Sequence, residues 1–248
     1  MTTIEGIVLK ERAFGEQDKF IDILTKDRGL LELPVKGARK ISGKFSAPTQ
    51  LFAYSKFCYE QRKNRLYLNS AETIHIFYGL RNSLSTISLA SYFSDILRYS
   101  VAELTDSEDV LRLCLNTLHY LENGLRNEKL LKSIFELRLM SEIGFMPDVV
   151  ACHGCGVFEP EELYFSVSDG SFMCSECCPP ELKKNNFKLT LPVLSSIRHI
   201  VLMDFNRLFN FRVSENVLER LSEFSESYII SHLERSFNTL DFYKSLDN

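Results

Sequence analysis

At 248 residues, with 45 % hydrophobic and 25 % charged side chains, the chain is long enough to bury one large core or two to three small ones. No stretch approaches the roughly 20 apolar residues that a membrane span needs. Residues 1–6 show neither a basic start nor a long apolar run, so a cytoplasmic protein in a reducing compartment is expected. A net charge of −4 argues against a nucleic-acid partner, but its distribution reverses that: residues 1–80 hold 13 Lys and Arg against 9 Asp and Glu.

Residues 4–14 alternate loosely and end at Gly15. Residues 20–24 read as a second strand before the turn Lys26-Asp27-Arg28-Gly29, and residues 30–35 as a third, ending at Gly37. A polar, basic loop over 36–47 precedes two more strands, 50–60 and 66–76, joined by a turn at Arg62-Lys63-Asn64. Five strands in about 75 residues with short turns and one longer loop suit a small closed barrel; an SH3-like barrel reads almost the same way, so periodicity alone does not name the fold.

From about residue 80 the period becomes helical. Leu84, Ile87, Ala90, Tyr92, Ile96, Leu97 and Val101 form one apolar stripe. Leu111, Cys114, Leu115, Leu118 and Leu121 form a second, opened by acids at Asp106, Glu108 and Asp109 that suit the positive end of a helix. A third runs from Leu130 to Ile143 and meets stop signals at Gly144 and Pro147. Two more helices are expected over 192–205 and 214–233. The organisation that follows is a barrel over 1–80, a helical bundle over 81–150 and 179–248, and an insert over 151–178.

The insert carries Cys152-His153-Gly154-Cys155 and Cys174-Ser175-Glu176-Cys177, separated by 18 residues. Two Cys-x-x-Cys turns at this spacing are the pattern of a tetrahedral zinc site. Residues 163–167, 168–170 and 171–173 read as the strand, turn and strand that deliver the second pair, and Gly156 follows the first pair where a tight knuckle needs unusual backbone angles. Four thiolates leave no open coordination position, so Cys152, Cys155, Cys174 and Cys177 are expected to hold a structural Zn2+. Cys178 competes with Cys177 for the fourth place, and the repeated Cys-x-x-Cys geometry favours Cys177. Cys58 and Cys114 fall at positions expected to be buried as small apolar groups.

Within residues 36–65 there are eight basic residues, Lys36, Arg39, Lys40, Lys44, Lys56, Arg62, Lys63 and Arg65, against one acid, Glu60. Gly37, Ser42 and Gly43 let the loop backbone approach a partner closely. Phe45, Phe52, Tyr54, Phe57, Tyr59 and Tyr67 are interleaved with the cations, the combination by which single-stranded nucleic acid is held through phosphates and stacked bases. The same rings equally suit the barrel core.

The runs Phe14-Gly15-Glu16-Gln17-Asp18-Lys19, Leu24-Thr25-Lys26-Asp27-Arg28-Gly29-Leu30 and Lys36-Gly37-Ala38-Arg39-Lys40 resemble the N-terminal barrel of the bacterial RecO family. The likeness continues through Phe135-Glu136-Leu137-Arg138-Leu139 and Gly144-Phe145-Met146-Pro147 into the first cysteine pair. The resemblance implies an α+β multidomain protein: an N-terminal five-stranded OB-fold barrel followed by a helical bundle with an inserted four-cysteine zinc knuckle. It implies a DNA repair and recombination mediator of the RecF pathway that binds single- and double-stranded DNA and anneals complementary strands. Its implied partners are RecR and the acidic tail of the single-strand DNA-binding protein, with which it helps load RecA. Lys36, Arg39, Lys40 and Lys44 match the family's basic loop and the four cysteines its metal positions. The sequence departs from the family after Ser236, where Phe237-Asn238-Thr239-Leu240-Asp241-Phe242 replaces the usual basic stretch.

Two other readings compete. A zinc-stabilised helical adaptor with little DNA affinity would account for the acidic second half. A zinc deaminase or hydrolase needs an open metal position and a His-x-Glu arrangement, whereas Gly154 follows His153 and Glu176 is the acid within the pairs. Glu16 with Asp18, or Glu159, Glu161 and Glu162, read as turn or solvated charges, so no enzyme activity is expected.

Overall fold

The computed structural model describes residues 1–40, 43–63 and 65–246. Ser42 of the basic loop and Asn64 of the turn between the last two barrel strands lie outside the described residues. The chain forms two compact units, residues 1–125 with 237–248, and residues 126–236.

The first unit opens with β1 (Thr2–Phe14), β2 (Asp18–Thr25), β3 (Gly29–Val35), β4 (Ala53–Arg62) and β5 (Arg65–Ile76). All pairings are antiparallel, in the order β3-β2-β1-β4-β5. Alternate side chains point inward, and Val8, Ile21, Ile23, Leu33, Val35, Phe57 and Tyr59 fill the interior, with Leu31, Leu66 and Leu68 packed against them from the two terminal strands. That contact of β3 with β5 across the core closes the sheet into the five-stranded OB-fold barrel. A register shift between Val8 and Lys10 lets the long β1 serve two partners, β2 and β4.

The helices α1 (Leu84–Ser100) and α2 (Glu108–Glu122) follow a five-residue 3-10 segment, Tyr78–Asn82. α1 is tied to the barrel where the Ser94 hydroxyl donates to the Leu9 carbonyl at 2.5 Å and Arg98 Nε donates to Asp22 Oδ2 at 2.8 Å. Gly29, with φ +57°, lies so near the Ala102 carbonyl that a Cβ there would sit 2.0 Å from that oxygen. These contacts explain why this unit runs to residue 125, whereas the change of periodicity near residue 80 marks a change of secondary structure.

The second unit contains α3 (Glu128–Glu142), β6 (Glu162–Ser166), β7 (Ser171–Cys174), α4 (Pro180–Lys183), β8 (Phe187–Thr190), α5 (Leu191–Leu202), α6 (Phe205–Leu208) and α7 (Glu215–Leu233). The expected β6–β7 hairpin is present, with the Ser166 hydroxyl donating to Asp169 across its turn at 2.7 Å. β8 lies outside the expected elements; it pairs with β6, so the sheet of the insert extends to Thr190. Phe165 of β6 meets Phe224 of α7 edge-on at 4.9 Å, seating the sheet on that helix. Between α3 and α7 a buried Lys132 lies 3.1 Å from both Glu136 and Glu226, and Ser225 donates to Glu136 at 2.6 Å. The helix expected over 192–205 ends at Leu202.

The chain closes with α8 (Asn238–Ser245), also outside the expected elements, which returns to the first unit. There Thr239 donates to Asp95 of α1 at 3.1 Å and Phe237 stands edge-on to Tyr92 at 5.7 Å. Among the described residues no helix is long and apolar enough to cross a membrane.

Candidate functional site

The eight predicted basic side chains are all exposed, but the fold does not treat them alike. Lys36, at the end of β3, and Arg65, at the start of β5, line the same open cavity of about 650 Å³. Arg39 reaches back to the β1–β2 turn, where its backbone N–H donates to the Gln17 carbonyl at 3.0 Å and its guanidinium to the Gly15 carbonyl at 3.2 Å. Asp18 closes that junction by accepting the Gly37 N–H at 2.8 Å. The basic loop is therefore braced against a turn some twenty residues earlier. Arg62 lies over the Tyr67 ring at 5.7 Å and pairs with Glu60 at 2.6 Å, so its charge is partly neutralised. Lys44 donates to the Asn69 carbonyl at 3.1 Å and covers the Phe45 ring.

Lys56 belongs elsewhere. Its register partners are Glu5 on β1 and Glu72 on β5, and it lines a separate recess with Lys26 and Asp27. Acids stand opposite it on both neighbouring strands, although it is in no salt bridge among the described residues, and its recess is separate from the one that Lys36 lines. Among the described residues, none of Lys36, Arg39, Lys40, Lys63 and Arg65 is in a salt bridge. Several other cations of the same unit are in ion pairs, Arg12 and Arg98 with Asp22, Lys19 with Glu11, and Lys26 with Glu108, whereas Lys10, Arg28, Lys44, Lys56 and Arg81 are in no salt bridge among the described residues.

The aromatic part of the expectation needs correction. Phe45, Phe52, Phe57 and Tyr59 are buried; Phe45, Phe57 and Tyr59 belong to the barrel core, whose inward positions must be filled, and Phe52 is buried just before β4. Of the six rings expected to stack, Tyr54 and Tyr67 remain partly accessible, and Tyr54 is turned towards Glu5, to which it donates at 2.9 Å. The rings of the cavity are instead Phe14, Phe20 and Tyr67. Phe14 is 59 % exposed and stands edge-on to Phe20 at 5.1 Å. Phe20 lies on the outer sheet face in register with Arg12 on one side and Pro34 on the other, and the Arg12 guanidinium sits 5.8 Å from its ring. Glu32, the acid of the cavity, is bound by Arg12. Phe14 and Phe20 escaped the sequence reading, although a large ring beside Gly15 in a polar turn breaks the hydrophobic pattern and signals a role beyond packing.

In the second unit the sulfurs of Cys152, Cys155, Cys174 and Cys177 all lie within 4.8 Å of one another. A tetrahedral ion with bonds of about 2.3 Å needs sulfurs about 3.8 Å apart. The Cys155–Cys174 separation is 3.7 Å. Gly156 has φ +74°, as a tight knuckle requires. Gly154 is constrained more severely: a Cβ there would sit 2.8 Å from Cys177 Cβ and 2.9 Å from Cys177 Sγ. The two Cys-x-x-Cys turns therefore face each other with no room for a side chain between them.

Burial pushes the Cys152 thiol up, but N–H groups of Cys174, Cys155 and Gly154 outweigh it and bring it down to about 6. Contact with the Cys155 and Cys174 sulfurs, together with burial, pushes Cys177 up to about 12. So many thiolates at this range repel one another, and a bound cation is what would let all four ionise. The donor set fits a metal ion. His153 is exposed and outside the cluster, and Cys178 is buried with its sulfur turned towards the Pro179 carbonyl at 3.8 Å. Cys114 is buried as expected, whereas Cys58 is only half-buried, because it shares the outward face of β4 with Tyr54 and Lys56.

Comparison with known proteins supplies the family. Residues 1–77 match the family model described as "Recombination protein O N terminal", and residues 81–241 match "Recombination protein O C terminal". The chain belongs to the RecO family. It is 35 % identical over 242 residues to the "DNA repair protein RecO" of Acetivibrio thermocellus, covering 98 % of this chain and 96 % of the relative. It is 28 % identical to that of Caldicellulosiruptor saccharolyticus, over 97 % of this chain and 96 % of the relative, and 27 % identical to that of Alkaliphilus metalliredigens, over 98 % of both. As a RecO-family DNA repair protein, the chain carries its exposed cations on the barrel and its cysteine cluster in the helical unit, so the two candidate sites lie on different parts of the RecO fold.

Proposed function

We propose that this chain is a recombination mediator that binds single- and double-stranded DNA through its barrel, anneals complementary strands and, with RecR, helps load RecA. The carrying observation is the group of exposed cations Lys36, Arg39, Lys40, Lys63 and Arg65, outside any salt bridge among the described residues, in a unit whose Arg12, Lys19, Lys26 and Arg98 are paired. Unpaired cations release counterions when they meet phosphates, and this supplies the affinity. Partnership with RecR and with the acidic tail of the single-strand binding protein, and a cytoplasmic location, rest on family membership. Soft thiolates in a closed tetrahedral set favour Zn2+, held for stability. No catalytic step is assigned: Glu16, Glu159 and Glu161 are exposed, Glu162 pairs with Lys188 at 2.8 Å, and Asp18 is engaged with the loop backbone.

The test is a salt series of oligonucleotide binding. Contact of five cations with a single strand gives a slope of about −3.5 in log K against log salt, about 100-fold between 50 and 200 mM. Arg39→Glu with Lys40→Glu should abolish most of the affinity, Lys36→Ala should flatten the slope by about 0.7, and Lys56→Ala should leave it unchanged. A flat salt response, or normal binding by the double variant, refutes the proposal and leaves the protein-adaptor reading.

A further inference from the structure

We infer that the cavity bounded by Phe14, Phe20, Pro34 and Tyr67 is a base-stacking site that takes an unpaired nucleobase of a single DNA strand, with Lys36 and Arg65 on its rim for the flanking phosphates. The inference rests on the DNA-binding reading above and adds to it a ligand chemistry that charge alone does not provide.

The placement is a product of barrel closure. Phe14 ends β1, Phe20 lies on β2, Pro34 and Lys36 on and just after β3, and Arg65 and Tyr67 on β5. At about 650 Å³ the cavity falls within the roughly 300–1,000 Å³ range of clefts that hold small planar ligands. Its walls are mainly apolar and its charged members sort by role. Glu32 is engaged by Arg12, so the carboxylate does not oppose an incoming phosphate. Lys36 and Arg65 carry no ion pair among the described residues. Arg12 over Phe20 and Arg62 over Tyr67 fix two of the rings by cation–π contact. Phe14 remains the projecting ring, 59 % exposed at the edge of the barrel. An exposed aromatic beside fixed rings and free cations is complementary to an apolar, flat base joined to anionic phosphates. A duplex keeps its bases inside the stack and cannot fill the cavity without unpairing. The site therefore distinguishes single from double strands at the level of the base, while the surrounding cations grip both.

The experiment compares three probes on the intact chain: a short single-stranded oligodeoxynucleotide, an abasic strand of equal length and charge, and a duplex. The normal strand should bind more tightly than the abasic strand by roughly 5- to 100-fold, the range expected for one stacked base. Phe14→Ala, at an exposed position, should remove that difference while leaving the salt slope, duplex affinity and thermal melt unchanged. A 2-aminopurine in the strand should lose fluorescence on binding the unmodified protein and keep it with Phe14→Ala. Equal affinity of normal and abasic strands, with a normal salt slope, overturns the base site and leaves the DNA-binding reading intact. Absence of binding to all three probes overturns both. Occupation of the cavity by an acidic, apolar peptide that blocks Phe14 without displacing the oligonucleotide overturns the base assignment in favour of a protein ligand.

Discussion

Replacing Gly154 by alanine isolates what the knuckle requires of its backbone. The added Cβ would stand 2.9 Å from Cys177 Sγ, and ordinary contact begins at 3.4 Å, so the sulfur must retreat by about 0.5 Å. Metal–ligand distances tolerate about ±0.2 Å around a Zn–S bond of about 2.3 Å. The displacement is more than twice that tolerance, so one of four ligands is lost or badly placed. If the site contributes ~10–16 kcal/mol of apparent binding energy, a quarter of it is about 3 kcal/mol, or roughly a 100-fold weaker Zn2+ affinity. Gly156→Ala is the control. It meets nothing within 4 Å and suffers only from its φ of +74°, a backbone cost of roughly 1–2 kcal/mol. Competition against a chromophoric chelator, with zinc stoichiometry and thermal melts before and after chelation, measures both variants. Gly154→Ala should melt between the zinc-loaded parent and the chelated parent, and should give up its zinc to a roughly 100-fold weaker chelator than the parent does. Retention of parental zinc affinity by Gly154→Ala, or a greater loss in Gly156→Ala, would refute the steric reasoning.

Two further outcomes follow from other contacts. Asp18→Ala removes an acid beside the basic loop, and charge alone predicts tighter oligonucleotide binding. Loss of its hydrogen bond to Gly37, worth about 1–3 kcal/mol, should instead release the basic loop and weaken oligonucleotide binding several-fold. Asp18→Asn, which keeps an acceptor, should bind at least as well as the parent, and tighter binding by both variants in gel shift would sink the bracing role. Burial pushes the Cys114 thiol up from 9.0 to about 12. Because the folded value is raised, the associated stability is present below pH 9 and is lost as pH rises towards 12, on the order of 4 kcal/mol. Denaturant unfolding in alkaline buffers should show this decline, and Cys114→Val should reduce it; an identical alkaline decline in the variant would mean that other groups dominate.

The cysteine quartet, the five strands and the first three helices were legible in the sequence because their signals are local. A Cys-x-x-Cys turn, a two-residue or 3.6-residue period and a glycine after a run each act over a few positions. The choice of Cys177 over Cys178 was legible for the same reason, since the repeated spacing carries the geometry. Local signals failed for β8 and α8, which are short and gain their stability from pairing with β6 and packing on α1. They failed again for the rings, because the face of a strand that turns inward depends on barrel closure. Closure buried Phe45, Phe57 and Tyr59, and left Phe14, Phe20 and Tyr67 around a cavity.

The sequence by itself determined that the N-terminal region is rich in cations and that four thiols share one knuckle. Only the tertiary structure decided which of those cations are paired, since neutralisation depends on acids brought in from elsewhere in the fold: Asp22 and Glu32 beside Arg12, Glu11 beside Lys19, Glu108 beside Lys26. Charge is a property of residues, but an unopposed charge beside an exposed ring is a property of the folded surface.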